Sequence, residues 1–115
     1  MLKPDIVRLQ HMVDSANEAI SFVAGRSKTD LEKDRALALA LVKSIEIVGE
    51  AASKVSRELR SQSPEIPWAD IIAMRNRLIH SYFEVNLGIF WQTVTVELPP
   101  LVLQIQTLLA SRDLQ

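Results

Sequence analysis

Apolar side chains in the first 25 residues recur at steps of three and four. This spacing places them on one face of an amphipathic helix from Asp5 to about Val23. Gly25 follows at the position where helices often end. His11 lies off the apolar face, which predicts a surface residue. The apolar face of this first helix consists of Ile6, Leu9, Val13, Ala16, Ile20 and Val23.

A second, longer helix is predicted over residues 31–60, because no proline interrupts this stretch. Thr29 and Glu32 have the spacing of a capping box, and Asp30 is an alternative cap. Residues 36–42 read ALALALV and alternate as a strand would, but alanine favours helices and disfavours strands. The helix is therefore apolar nearly all round here, and one side needs cover from another helix or a second subunit.

Two acidic residues accompany the apolar positions in the second half of this helix. Glu46 and Glu50 are four apart, so they share one face. They form either a solvated acidic edge or a pair of hydrogen-bond acceptors for Arg75 or Arg77 on a neighbouring helix. The pattern alone leaves both interpretations open.

The rest of the chain continues the helical pattern. A third helix is predicted over residues 67–82, with its proline in the first turn, where a missing N–H is tolerated. Asn86 can cap a fourth helix that ends at Pro99-Pro100, and a final amphipathic segment covers residues 101–111. Four or five helices with short connections predict an all-α, up-and-down bundle forming a single domain, residues 1–115.

Composition supports the helical interpretation. The 115 residues are 48% hydrophobic and 5% aromatic, with three glycines, too few for a turn-rich β protein. The absence of cysteine excludes disulfides and thiolate chemistry. No apolar run reaches the roughly 18–20 residues of a membrane span, and the first residues lack the apolar stretch of a signal peptide. We therefore expect a cytoplasmic protein without membrane contact.

The net charge of −1 and the pI near 6.1 limit the ways in which the protein can contact nucleic acid. Proteins that bind long nucleic acids through many phosphates are usually basic. Contact with RNA would therefore use a local patch or a single cleavage point.

Candidate chemistry is concentrated in residues 74–83, which read MRNRLIHSYF. Buried polar groups without a partner cost about 1–3 kcal/mol each, so this face is either wet and catalytic or satisfied by a partner. Arg75 and His80 lie about 140° apart around an ideal helix, whereas Asn76 and His80 share a face. The first two converge if the arginine side chain wraps round, if the helix loosens near His80, or if two copies pair.

These side chains suit phosphate-ester cleavage without a metal ion. An imidazole can take a proton from a ribose 2′-hydroxyl, and a guanidinium can stabilise charge on the phosphate. Metal-ligand spacings, nucleophile motifs and phosphate-binding glycine loops are missing from the sequence. An Arg-Asn-Arg face with a histidine is also typical of a salt-bridged interface, so the chemistry alone leaves active site and interface open.

One motif resembles the signature of the HepT-like ribonuclease toxins of the HEPN superfamily. It consists of Arg75 and Asn76, then His80 after three further residues, then Tyr82 after one more. The likeness spans the chain from about residue 6 to residue 109. The flanking segments that resemble the family are residues 44–52, 66–68, 71–74 and 85–86.

The resemblance implies a HEPN-like bundle that forms a homodimer, with the two motifs facing each other across the interface. It implies a metal-independent RNA endonuclease without cofactors, the toxin of a pair whose antitoxin is a minimal nucleotidyltransferase. Arg75 and His80 would be catalytic, Asn76 supporting, and Tyr82 the residue to which the antitoxin transfers AMP. Ser81 stands where the family often has glycine, which makes a tight non-helical bend there less favourable.

A second function from another class fits the same residues. In this interpretation the Arg75–Tyr82 face binds a partner protein or a nucleotide and cuts no RNA. The acidic pI favours it mildly, because it predicts weak intrinsic binding to RNA.

Overall fold

The computed structural model describes residues 1–81 and 87–111, and for residues 78–81 it describes the backbone alone. Both described ranges are helical and contain no strand, so the predicted all-α fold is confirmed. The elements are α1 (Lys3–Val23), α2 (Lys28–Lys33), α3 (Arg35–Ser53), α4 (Arg57–Gln62), α5 (Trp68–Ser81), α6 (Leu87–Gln92), a π-helical segment (Thr93–Glu97) and α7 (Leu98–Ser111).

The first helix matches its prediction closely. α1 begins at Lys3 and ends at Val23. Four residues of its predicted apolar face are buried, Leu9, Val13, Ala16 and Val23, whereas Ile6 and Ile20 are partly exposed. Gly25 has φ +73°, a left-handed conformation that glycine adopts without a side-chain penalty. His11 is exposed, as predicted.

The single helix predicted over residues 31–60 is wrong, because three helices occupy this region. Asp34 has an extended backbone, and its side chain accepts a hydrogen bond from the N–H of Leu37 at 3.0 Å, which starts α3. Ser56 likewise accepts from the N–H of Leu59 at 3.3 Å and starts α4. Side-chain caps of this kind divide a helix without any proline.

The start of α2 also differs from its prediction. The capping box is formed by Ser27 and Asp30, whose side chains each bond the other's backbone N–H, at 3.3 and 2.8 Å. The predicted Thr29–Glu32 pair therefore lies two residues too late. Asp30, the alternative cap, takes part as the third residue of the box.

The predicted helix end at Pro99-Pro100 is wrong as well. One helix runs from Leu87 to Ser111, through the π-helical segment and both prolines. The N–H of Leu98 bonds the carbonyl oxygen of Thr93, five residues back. This wider turn relieves the clash of a proline ring with the preceding turn of an α-helix.

This C-terminal helix is the one described helix long and apolar enough, by length and composition, to cross a membrane. Core helices of soluble proteins pass the same test. Several of its side chains lie in the hydrophobic core of the domain: Phe90, Val94, Leu98, Leu101, Val102 and Ile105.

α3 lies at the centre of the bundle. It packs against α1 on one side and α5 on another, while α7 packs against α1 and α2 against α6. α1 and α3 supply most of the buried apolar residues of a single core. α5 therefore reaches the rest of the molecule mainly through α3.

Asp5 is a buried polar residue that ties α1 to the start of α4. Its carboxylate accepts hydrogen bonds from the N–H of Ser56 at 2.8 Å and from the hydroxyl of Ser56 at 2.6 Å. Ser56 is also the cap of α4. The carboxylate is thus satisfied although only 4% of Asp5 is exposed.

Candidate functional site

α3 and α5 approach each other very closely where Gly49 meets Arg75. A methyl group at residue 49 would overlap the Cβ atom of Arg75, and would lie 2.9 Å from its Cγ atom and 3.2 Å from the carbonyl oxygen of Ile71. Only glycine leaves room for this crossing. The base of the Arg75 side chain is therefore fixed against the backbone of α3.

Glu50, the next residue of α3, binds the other end of the same side chain. Its Oε2 atom accepts a hydrogen bond from Nη2 of Arg75 at 2.5 Å, and its Oε1 atom lies 3.3 Å from Nζ of Lys54. The sequence leaves open whether Glu50 is solvated or accepts a hydrogen bond from an arginine. The structure shows that it accepts one from Arg75. Glu46 instead lies 3.8 Å from Nζ of Lys43.

The two cations determine the charge state of Glu50. Hydrogen bonds from Lys54, and secondly from Arg75, hold the pKa of its carboxyl below the ordinary 4.5. The carboxylate is therefore ionised at neutral pH. Since two cations surround one anion, the cluster of Glu50, Lys54 and Arg75 carries a net charge of +1.

The guanidinium of Arg75 extends along its own helix as well as towards α3. Nη1 donates a hydrogen bond to Oδ1 of Asn76 at 3.0 Å, and Asn76 is exposed. Nε is buried, and within the described part of the chain it has no hydrogen-bond partner. The side chain remains 27% exposed, so this charge is partly accessible from solvent.

The contact between Arg75 and Asn76 bears on how Arg75 and His80 meet. α5 is helical through Ser81, so its backbone does not loosen at His80. Asn76 shares a helix face with His80, four residues on, and the guanidinium reaches towards that face by bonding Asn76. Of the three predicted routes to convergence, loosening of the helix backbone is not what the structure shows at His80, and wrapping of the arginine and pairing of two copies stay predictions.

Two of the predicted site residues cannot be compared with the structure. The side chain of His80 and the whole of Tyr82 lie outside the described residues, as does the predicted cap Asn86. The catalytic role of Arg75, the supporting role of Asn76 and the roles of the other two remain predictions. The structure does bring Arg75 and Asn76 together.

A groove with a volume of 680 Å³ lies beside the motif helix. α5 forms one wall, the C-terminal helix forms the other, and α3 contributes to the floor. The lining is mostly apolar, with Asp70 and Arg77 on the α5 side. Arg75, by contrast, faces α3, where it meets Gly49 and Glu50. The apolar lining consists mainly of Ile45, Val48, Ile71, Met74, Ile89, Val96 and Leu101.

A metal site built on three or more His, Cys, Asp or Glu side chains is not found among the residues whose side chains the structure describes. The side chain of His80 lies outside these residues. The chemistry visible at the site is therefore that of a guanidinium, a primary amide, a carboxylate and an ammonium group.

Two members of the site were missed by sequence reasoning. Gly49 carries a signal that was available: an interior helical glycine costs about 1 kcal/mol relative to alanine, so it often marks close packing. Lys54 follows Glu50 by four residues, the spacing of a helical ion pair. Neither signal identifies the partner helix.

Comparisons with known proteins agree with the motif. The profile of the family described as Ribonuclease HepT-like matches residues 12–108. "Putative RNase TTE0752" of Caldanaerobacter subterraneus subsp. tengcongensis is 40% identical over 88% of this chain and 90% of its own length. "Probable ribonuclease HepT" of Thermococcus cleftensis is 31% identical over 84% of this chain and 83% of its own length.

A third relative contains a similar sequence within a longer protein. "Gamma-glutamylcyclotransferase and putative RNase MJ0434" of Methanocaldococcus jannaschii is 30% identical over 98% of this chain, which covers 51% of that protein. No solved structure gives a significant match. The family profile covers most of the chain, and the motif residues from Arg75 to His80 lie in α5, which packs on α3. The chain belongs to the HepT-like ribonuclease family.

Proposed function

We propose that the protein is a metal-independent endoribonuclease in which Arg75 and His80 carry out the cleavage. The observation that carries the proposal is the guanidinium of Arg75, fixed by Glu50 and Asn76. It occupies the motif position in a member of the HepT-like ribonuclease family. A positive group held in place before the substrate arrives suits a reaction that builds negative charge on phosphate.

The proposed reaction is a phosphoryl transfer within the RNA. The imidazole of His80 takes the proton of a ribose 2′-hydroxyl, and the 2′-oxygen attacks the adjacent phosphorus. The bond from phosphorus to the 5′-oxygen breaks, and this oxygen leaves with a proton from an imidazolium. Arg75 stabilises the charge on the phosphate oxygens during the exchange. The products are a 2′,3′-cyclic phosphate and a 5′-hydroxyl.

A homodimer is part of the proposal, because it would supply a second His80 to the same site. One imidazole would act as the base and the other as the acid. Exposed apolar side chains on α3, Leu39 at 43% and Ile47 at 37%, support a subunit contact. Light scattering coupled to size-exclusion chromatography tests the dimer, which a mass of 12.9 kDa in solution would contradict.

The test of the ribonuclease is cleavage of RNA by the purified protein in excess chelator. We expect His80→Ala to reduce the rate by about 10²–10⁴-fold, the range for loss of a general acid or base. His11→Ala is the matched control, since this exposed histidine lies on α1, outside the motif. Cleavage that needs added metal, or that survives His80→Ala, would contradict the mechanism.

The finer proposal is that the protein is a cytoplasmic toxin whose antitoxin is a minimal nucleotidyltransferase. The antitoxin would transfer AMP to Tyr82, the phenol two residues after His80. Tyr82 is the one tyrosine in the sequence, so AMP on tyrosine identifies the position directly. Co-expression followed by mass spectrometry should show the added AMP, and Tyr82→Phe should remove it. An unmodified Tyr82 beside an active nucleotidyltransferase would contradict this part.

The interaction module remains as a second candidate function. The acidic pI favours it, because it predicts weak intrinsic binding to RNA. Growth on expression separates the two candidates. A ribonuclease should arrest cells and Arg75→Ala should abolish the arrest, whereas an interaction module should leave growth and RNA intact.

A further inference from the structure

We propose that Glu50 is a positioning residue for the cleavage: it holds the guanidinium of Arg75 in the orientation that receives the phosphate. Glu50 acts through Arg75 and does not contact the substrate itself. This inference rests on the proposed ribonuclease function. It assigns a role to a residue on α3, outside the motif of α5.

The first support is the way α3 holds both ends of the arginine side chain. Gly49 packs against Cβ and Cγ of Arg75, and Glu50 binds Nη2. These two neighbouring residues lie in the last two turns of α3, a 19-residue helix. The guanidinium is thus mounted on a regular element, where position is better defined than on a loop.

The second support comes from counting the N–H groups of Arg75. A guanidinium has five: one on Nε and two on each Nη atom. Glu50 accepts one from Nη2, Asn76 accepts one from Nη1, and the Nε–H is buried. Counting only partners among the described residues, one N–H remains on each Nη atom, and two such groups can bind oxygens of a phosphate.

The third support is the charge of the surroundings. A carboxylate beside the arginine would by itself cancel the attraction for phosphate. Lys54 contacts the second oxygen of the same carboxylate at 3.3 Å, so the cluster with Arg75 keeps a net charge of +1. Glu50 can thus orient the arginine while the site still attracts an anion.

The experiment compares Glu50→Ala and Glu50→Gln with the unchanged protein, using an RNA oligonucleotide and steady-state kinetics. We expect kcat to fall about 100-fold for Glu50→Ala, the size of effect known for a misplaced catalytic group, with KM within about twofold. Glu50→Gln should lie in between, because its amide oxygen can still accept from Arg75. Glu46→Ala is the matched control and should cleave normally, because Glu46 is a partly exposed acidic residue one turn away that pairs with Lys43 instead of Arg75.

A double variant separates positioning from a structural role. If Glu50 acts only through Arg75, adding Glu50→Ala to Arg75→Ala should cause no further loss of kcat. Further loss in the double variant, or full activity of Glu50→Ala, would overturn the inference while leaving the ribonuclease in place. A fall in activity matched by a fall in helicity at the assay temperature would also overturn it. Failure of the unchanged protein to cleave RNA would overturn both the proposed function and this inference.

Discussion

The contacts that α3 makes with α1 and with α5 differ in composition and in exposure to solvent. Towards α1 the contact is built from apolar residues of one continuous core, with fully buried side chains such as Leu9, Met12 and Leu41. Towards α5 the contact is a glycine crossing with a carboxylate and a guanidinium beside it. The first contact excludes water, whereas the second leaves Arg75 27% exposed and Glu50 42% exposed.

This difference indicates which helix contact stabilises the fold and which one positions the groups of the proposed reaction. Buried apolar area supplies most of the free energy of folding, so the contact with α1 should determine the unfolding midpoint. Exposed ion pairs add little to stability, so the contact with α5 should influence the proposed reaction far more than the fold. The variants below test whether the two effects separate, in order of decreasing effect on stability.

The largest effect is expected on the apolar side of α3. Leu41→Ala should lower the free energy of unfolding by about 2–5 kcal/mol, because it removes a fully buried side chain and leaves a cavity. Chemical denaturation measures the loss, and RNA cleavage per folded molecule should stay unchanged. Leu103→Ala is the control, since that leucine is 65% exposed and should change stability little.

Asp5 should give the next largest effect. Asp5→Ala removes the acceptor of two hydrogen bonds from Ser56, and unsatisfied buried donors cost about 1–3 kcal/mol. Denaturation curves should shift accordingly, while cleavage should be retained below the transition. Asp14→Ala, whose exposed carboxylate binds Gln10 on the same helix, serves as the control. Loss of cleavage by folded Asp5→Ala would break the proposed separation.

Gly49→Ala should show the reverse balance. Overpacking costs about 1–3 kcal/mol, but alanine gains about 1 kcal/mol in helix propensity over glycine, so the net loss should be about 0–2 kcal/mol. Cleavage should fall at least about tenfold, because the methyl group displaces Arg75. Gly25→Ala is the contrast: its left-handed backbone is strained by a side chain, yet cleavage should be unaffected.

The smallest effect is expected from the titration of Glu50. Folding lowers the pKa of this carboxyl, so its ionised form stabilises the folded state above the ordinary pKa of 4.5. That stabilisation should be lost as the pH falls below this value and through the lowered pKa. We therefore expect the stability difference between the unchanged protein and Glu50→Gln to shrink between pH 7 and pH 3. A difference that grows on acidification would contradict the lowered pKa.

The sequence predicts the local features of the fold better than its helix ends. The apolar spacing of α1 and the position of Gly25 were sufficient to place the first helix. The sequence does not predict the break between α2 and α3 at Asp34. The Asp34 side chain can cap a new helix, but the surrounding residues also favour one continuous helix, and residue types alone do not decide between the two. The prediction of a helix end at Pro99 and Pro100 is wrong because the spacing of residue types does not reveal the wide π-helical turn before them.

The site was predicted in part for a related reason. The sequence offers Glu50 as a possible partner for Arg75, and the structure shows that contact. The helical pattern of α3 does not determine which helix packs on this face or at which residue the two helices cross. That choice depends on the tertiary approach at Gly49. The motif itself is local, so the sequence was sufficient to identify Arg75, Asn76, His80 and Tyr82 as candidates.

The proline pair has a mechanical consequence for the C-terminal helix. The carbonyl of Thr95 would bond the N–H of residue 99 in an α-helix or of residue 100 in a π-helix, and both are prolines without an N–H. In this described stretch the regular ladder therefore offers no backbone donor to that oxygen, and Thr95 is exposed to water. Bending the helix at this point breaks fewer hydrogen bonds than elsewhere along it. The C-terminal helix, the longest in the described part of the chain, is therefore expected to bend most easily near Thr95, beside the groove.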